Sequence, residues 1–473
     1  MTEPTASGQL SEFGYRQELR RGVGLADLVF YGLIFMVPIA PFAIFGAVFQ
    51  ASNGMPVLAY AVGLVALLFT AASYAQMVKA FPLSGSVYNY AGRGIGAPVG
   101  FITGWAILLD YILVPGLLYL IAALTMNAAI PEVPFWAWLI IFVGINTLIN
   151  LRGIKMTANF TKVMIVAELI VLGLFLGVGI TALVQGKGRG FSFEAVFQSS
   201  AFTWGILGAA VSVAVLSFLG FDGIAMLVEE SRGGSTDVAR AMRWALGLAG
   251  LLFIAQVWVA ALLVQDPAGL IANGDPDGAA FYDAAGVAGG AWLAKTTLIA
   301  TGIAWGIADT LVAQVAISRL LYAMGRDRQL PTFLARVSPK RAVPSNAIIF
   351  VAILSLALVF YMHSREDGIT LMSSMINMGA MVAFVMLHLS VIVHFVIKKR
   401  SGNLWNHLVI PLIGAGVLIF VIINAKVLAQ VVGFIWLGIG LLILAGLYAV
   451  GNKPTLEGLA TDREAAAPES ASA

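Results

Sequence analysis

The sequence predicts an all-α integral membrane protein of twelve transmembrane helices. Three observations carry this expectation. Of 473 residues, 60% are hydrophobic and 11% charged, whereas soluble domains run at about 45–50% apolar and about 25% charged. Residues 28–78 hold no charged side chain, and an interruption at Asn53–Gly54 divides them into two stretches long enough to cross a bilayer. With the N-terminus inside, 22 of the 27 Lys and Arg residues fall in cytoplasmic segments, the bias of the positive-inside rule. Lys187, Arg189, Lys295, Arg365 and Lys426 fall outside.

By the same length rule the spans lie near 25–51, 56–78, 97–125, 135–151, 159–184, 203–228, 241–264, 291–321, 345–362, 369–397, 407–425 and 430–450. No short hydrophobic region with a small-residue cleavage site precedes them, so Met1 is expected to begin the mature chain. The tails 1–21 and 452–473 read as cytosolic and weakly ordered. Both termini are expected inside, with the acidic loop of Asp266, Asp275, Asp277 and Asp283 outside. The absence of cysteine excludes disulfides and thiolate metal sites. A net charge of +3 gives no case for nucleic acid.

Two spans carry signs of a break. Span 1 contains Val37-Pro38-Ile39-Ala40-Pro41, and each proline removes a backbone donor and clashes with the preceding turn. Span 6 contains Ser217-Phe218-Leu219-Gly220-Phe221-Asp222-Gly223, with two glycines and an acid at mid-membrane. Irregular backbone at that depth is tolerated where it is buried in protein or lines a cavity. Spans 1 and 6 are corresponding members of two five-helix sets, 1–5 within 22–200 and 6–10 within 201–400, which odd length forces into opposite orientations. Spans 11 and 12 occupy 401–451. Interrupted helices at matching positions of inverted halves point to a transporter's binding site.

On FPLSGSVYNYA (81–91), GWAILLDYILVP (104–115), SFLGFDGIAMLVEES (217–231), SRLLYAMGRDRQLP (318–331) and INMGAMVAFVMLHLSVI (376–392), the chain resembles the amino acid–polyamine–organocation transporters. It is most similar to their bacterial putrescine-importer branch, over roughly residues 20–450. The resemblance implies a five-plus-five inverted repeat with two added helices. It also implies uptake of a small amine or amino acid coupled to an ion gradient, protons more often than sodium. The surroundings are the lipid of the cell membrane, and no cofactor or metal is implied.

Acids inside the membrane are costly and point to function. Asp110 and Tyr111 in span 3 match the putrescine branch and offer a carboxylate and a cation–π face to an ammonium. The alternative is that Asp110 fixes helix packing. In span 6, Gly220 marks the break, and Phe221 stands where relatives use an aromatic to close over the ligand. Asp222 is placed either to bind an ammonium or to cap the second half-helix. Glu229 and Glu230, near Arg232, Arg240 and Arg243, read as a solvated ion-pair cluster at an inner gate. His388 and His394, six residues apart, do not share a helical face and read as packing or helix-end residues.

Three departures from the family follow. Thirteen residues after Lys155, where amino-acid carriers hold a lysine and putrescine importers a glutamine, this chain has Glu168. Ten residues before Arg319, where relatives hold a small polar residue or an amide, it has Asp309. Glu168, coupled to Asp309, is the expected proton carrier, since burial and a second carboxyl both favour a neutral acid; an interhelical hydrogen bond is the alternative. Ala43 matches the place of an acid in putrescine importers, so one ammonium partner is missing. Around Ile39 and Ala40, Pro38 and Pro41 remove two N–H groups that would hold an amino-acid carboxylate. A monoamine, a diamine or a less polar amino compound all fit.

No H-E-x-x-H, G-x-S-x-G or Walker A segment is present, so the sequence gives no case for an enzyme or a primary pump. A proton symporter is expected. An exchanger of amines or amino acids is the alternative, with a channel or an amine sensor further off.

Overall fold

The computed structural model describes residues 19, 21–275, 278–327, 330–365 and 368–451. Apart from Leu19 and Arg21, the expected tails lie outside the described residues. Hydrocarbon offers the backbone no partner, so an apolar chain closes its hydrogen bonds within each segment as helix. Among the described residues, ten helices are long and apolar enough to cross a membrane, or eleven if the bent pair Leu25–Met36 and Pro41–Ala51 is one span. The remaining expected segment forms Phe135–Leu151, an apolar helix of 17 residues. At 1.5 Å per residue it is about 26 Å long, a little under the ~30 Å hydrocarbon thickness. This is a multi-pass membrane protein.

Two connections that the sequence reading leaves as loops fold into helix. Ser86–Gly94 follows span 2 and is buried along its whole length. The acidic loop forms Pro267–Asn273, capped by Asp266, and Ala280–Gly289. The second of these stacks Phe281 on Phe42 of the second half of span 1, centroids 3.9 Å apart.

The helices sort by how far they are enclosed. Ala97–Ala129 has 78% of its most apolar window buried, whereas Val427–Ala449 has 17% and faces lipid. The outer helix is held by a reciprocal pair of indoles. Trp105 donates Nε1–H to the Trp436 carbonyl at 2.9 Å, Trp436 donates back to the Trp105 carbonyl at 2.7 Å, and the rings stack at 4.4 Å.

Both predicted breaks are present. Leu25–Met36 and Pro41–Ala51 meet at 55°, joined through Val37 in a left-handed conformation, φ 50°. Pro41 opens the second helix, where its missing N–H costs nothing. Span 6 runs as α-helix over Trp204–Ala214, tightens to a 3₁₀ turn at Val215–Phe218, breaks at Leu219–Gly220, and resumes as 3₁₀ helix over Phe221–Leu227. Gly220 has φ 110°, and a Cβ there would stand 2.7 Å from both the ring and the carbonyl of Phe35. The two breaks therefore press on each other. Gln256 of Gly234–Leu263 supports the first one, donating Nε2–H to the Pro38 carbonyl at 2.8 Å.

Span 8 contains a third irregularity that the sequence reading missed. Ala291–Ile303 passes into a π-helical turn, Ala304–Asp309, before Thr310–Arg326. Asn146 donates to the Gly306 carbonyl at 3.0 Å, which satisfies one group freed by the wider turn.

Gly220→Ala is expected to lower thermal stability in detergent by the equivalent of about 1–3 kcal/mol, from strained backbone and collision with Phe35. Gly247→Ala, a helical position with nothing within 4 Å of the added methyl, is the control and should not lower it.

Candidate functional site

A cavity lies where the two breaks meet span 3 and the π-turn. Its empty volume is about 570 Å³, the open space at its mouth included. Most of the wall is apolar, from Phe35, Met36, Ile44, Val114, Leu117, Leu118, Leu216 and Leu219. The polar side chains are Asp110, Tyr111, Ser217, Trp305 and Asp309, with Ala40 and Gly220 at the breaks. Ser217 is occupied by a 2.9 Å hydrogen bond with the Tyr60 hydroxyl. Asp110 and Asp309 thus bring two carboxyl groups from different spans to one apolar chamber.

The other candidates sit outside its wall. Ile39 is fully buried in the break and Ala43 half-buried beyond it. Phe221 packs against Tyr74 and Phe384, centroids 5.8 and 5.7 Å apart, instead of facing the cavity. The aromatics at the cavity are Phe35, Tyr111 and Trp305. Trp305 was legible as a residue four before Asp309 on one helical face, but the sequence reading did not use it.

Asp222 is held by groups that neither of the two expected roles names. The 3₁₀ segment begins at Gly220 without a side-chain cap, and Asp222 stands behind the cavity wall. Its Oδ2 accepts the hydroxyl of Tyr111 at 2.6 Å and that of Tyr74 at 3.2 Å. Two phenols on one oxygen stabilise a buried carboxylate without a cation.

Glu168 is 3% exposed, and neither carboxyl oxygen has a hydrogen-bond partner. It is near enough to Asp309 for the two groups to interact electrostatically, and the Oδ1 of Asp309 is likewise unpartnered. The helix of Glu168 and the π-turn both pack on Leu25–Met36, so the two acids flank the first half of span 1.

The glutamates at the end of span 6 need a correction. They are buried, not solvated, and their partners come from span 8 and not from Arg232, Arg240 or Arg243. Arg319 grips Glu230 with two nitrogens, Nε to Oε1 at 2.7 Å and Nη2 to Oε2 at 3.2 Å, both side chains 1% exposed. Glu229 accepts the Ser84 N–H at 2.8 Å and Arg326 Nη2 at 3.4 Å. Arg232 is exposed and contributes its backbone N–H to the Val23 carbonyl at 2.9 Å. Gly22 and Val23 donate N–H groups to the Glu230 carbonyl at 3.0 and 3.2 Å, so the strand-like lead into span 1 is tied to the end of span 6. His388 sits between helices, its Nδ1 2.8 Å from Ser73 Oγ and its Nε2 3.3 Å from Thr70 Oγ1. His394 packs edge-on against Phe81, centroids 4.8 Å apart.

A sequence model described as amino acid permease matches residues 28–450. The chain belongs to the amino acid permease family, within the amino acid–polyamine–organocation transporters. This permease is 33% identical to the low-affinity putrescine importer PlaP of Escherichia coli (strain K12), over 91% of the chain and 94% of that protein. It is 26% identical to the branched-chain amino acid permease BcaP of Bacillus subtilis (strain 168), over 90% of the chain and 93% of that protein. A methylthioribose transporter of the same organism is 25% identical over 92% of the chain and 95% of its own length. The permease is therefore a transporter and not an enzyme.

Removing one member of a buried ion pair strands the other. Arg319→Met is expected to cost about 3–5 kcal/mol of stability. Arg232→Ala, at an exposed position, should cost less than about 0.5 kcal/mol. Thermal unfolding of the two variants in detergent compares them directly.

Proposed function

We propose that this permease imports a small aliphatic amine by alternating access around the central cavity, in symport with protons. The observation that carries the reading is the pair Asp110 and Asp309 in an otherwise apolar chamber between the two breaks. A carboxylate in such surroundings pairs with an ammonium, and the apolar wall accepts an alkyl stem. The break in span 1 is poorly equipped for an amino-acid carboxylate. Pro38 and Pro41 have no N–H, and Ala40, Phe42 and Ala43 donate theirs to Val37, Ile39 and Ala40 at 2.7, 2.9 and 3.3 Å. Resemblance to a protein named as a putrescine importer supports an amine over an amino acid; the branched-chain permease among its relatives keeps apolar amino acids as the competing class.

Glu168 carries the coupling proton in this reading and Asp309 links it to the cavity. A carboxylate with neither oxygen partnered is too costly to keep in hydrocarbon, so the group holds a proton until a change of state gives it water or a cation. The basic face is the cytoplasmic one, both termini lie there, and the two five-helix halves form the inverted repeat. Glu229, Glu230 and their arginines close the inner side.

The test is uptake into liposomes of labelled putrescine, monoamines and amino acids, with and without an inward proton gradient. Accumulation of an amine that requires the gradient is expected. Uptake that requires preloaded internal amine instead would make the protein an exchanger, and flux linear in concentration would make it a channel. Asp110→Asn should raise the KM for amine by roughly 10- to 100-fold, the worth of one charge-assisted bond. Glu168→Gln should abolish the increase of uptake with external acidity; an unchanged pH profile would remove Glu168 from the mechanism.

A further inference from the structure

Four buried side chains run from the cavity toward the turn after span 2. Tyr111 lines the cavity and donates its hydroxyl to Asp222 Oδ2 at 2.6 Å. Tyr74 donates to the same oxygen at 3.2 Å. Ser86, at the start of Ser86–Gly94, donates its hydroxyl to Tyr74 Oη at 3.0 Å. All four are buried. The turn they reach is bolted to the end of span 6: Ser84 donates N–H to Glu229 at 2.8 Å and its hydroxyl to the Met226 carbonyl at 3.0 Å, and Asn89 donates to the Ser84 carbonyl.

We propose that Tyr74 and Ser86 are positioning residues that transmit occupancy of the cavity, through Tyr111 and Asp222, to the turn that closes the basic face. Tyr111 and Tyr74 share one acceptor oxygen, and their bonds are unequal. An ammonium in the cavity that donates to Tyr111 Oη makes that hydroxyl a stronger donor, because hydrogen bonds in series polarise one another. Tyr111 then draws Asp222 toward itself and weakens the longer bond from Tyr74. Tyr74 touches both Asp222 and Ser86, so its release loosens the 81–86 turn beside Glu229. No proton or other group is transferred in this step. Asp222 acts as a joint in the first turn of the short 3₁₀ segment after the break, where no α-helical ladder resists a small shift.

The inference rests on the cavity being the amine site, and its test separates the two. The chain contains no cysteine, so Leu83→Cys, in the turn and buried, gives one labelling site. In this background, putrescine should raise the rate of maleimide labelling from the basic face several-fold. Adding Tyr74→Phe should abolish that increase and lower the maximal uptake rate, while the putrescine Kd stays at the background value. Ser86→Ala, which leaves Tyr74 and Asp222 in place, should do the same and serves if Tyr74→Phe does not fold. A putrescine-dependent increase that persists in both variants overturns the relay and leaves the amine site standing. Loss of putrescine binding in Ser86→Ala overturns it too, by making Ser86 part of the binding structure. Absence of putrescine binding in the background protein overturns the amine site and the relay together.

Discussion

The mutual contact of two interrupted helices is the constraint from which the rest of the structure follows. An unwound segment in hydrocarbon has carbonyl and N–H groups without water, and each costs free energy unless protein supplies a partner. Here the breaks supply shelter to one another. Gly220 lets the backbone of span 6 approach the ring and carbonyl of Phe35, and Gln256 caps the Pro38 carbonyl from span 7. Replacing either glycine or amide would leave polar backbone facing apolar side chains. The space that remains between the breaks is the cavity, closed on its other sides by span 3 and the π-turn of span 8.

The same economy of polar groups governs the acids. Asp222 is held by two phenols, and Glu230 by a two-pronged arginine. Asp110 and Asp309 line the cavity, and Asp309 has one oxygen, Oδ1, without a partner. Asp222 keeps one oxygen, Oδ1, without a partner, as Asp309 does, whereas Glu168 has no partner at either oxygen. The ion pairs Arg319–Glu230 and Arg326–Glu229 lie at the end of span 6, outside the cavity wall.

Much of this was legible in the sequence, because its causes are local. Proline in span 1 and glycine in span 6 disrupt helices wherever they occur, so the breaks could be read directly. Asp110, Glu168 and Asp309 stood out as charges in apolar runs. Pairings between distant segments were not legible. Arg232, Arg240 and Arg243 are neighbours of Glu229 and Glu230 in the chain, yet Arg319 and Arg326 are their neighbours in space, since helix packing and not chain distance decides which charges meet. Phe221 was expected at the ligand, but the 3₁₀ winding after Gly220 turns it toward Phe384. The π-turn escaped notice because its extra residue leaves no mark on a 3.6-residue periodicity, although it sets the register at which Asp309 reaches the cavity. Ser86–Gly94 was hidden by its weak apolarity, as it is buried by its neighbours and not by its own hydrophobicity.

The central claim is that the chamber selects an ammonium on an apolar stem and has no seat for a carboxylate. Putrescine and ornithine differ by that one group, so their competition for a single site isolates it. Equilibrium binding of labelled putrescine to the purified permease, displaced by unlabelled putrescine or ornithine, measures the difference. Displacement by putrescine at much lower concentration than by ornithine is expected, with putrescine binding weakened roughly 10- to 100-fold in Asp110→Asn. Displacement by ornithine at equal or lower concentration would contradict the claim and return the site to the amino acids.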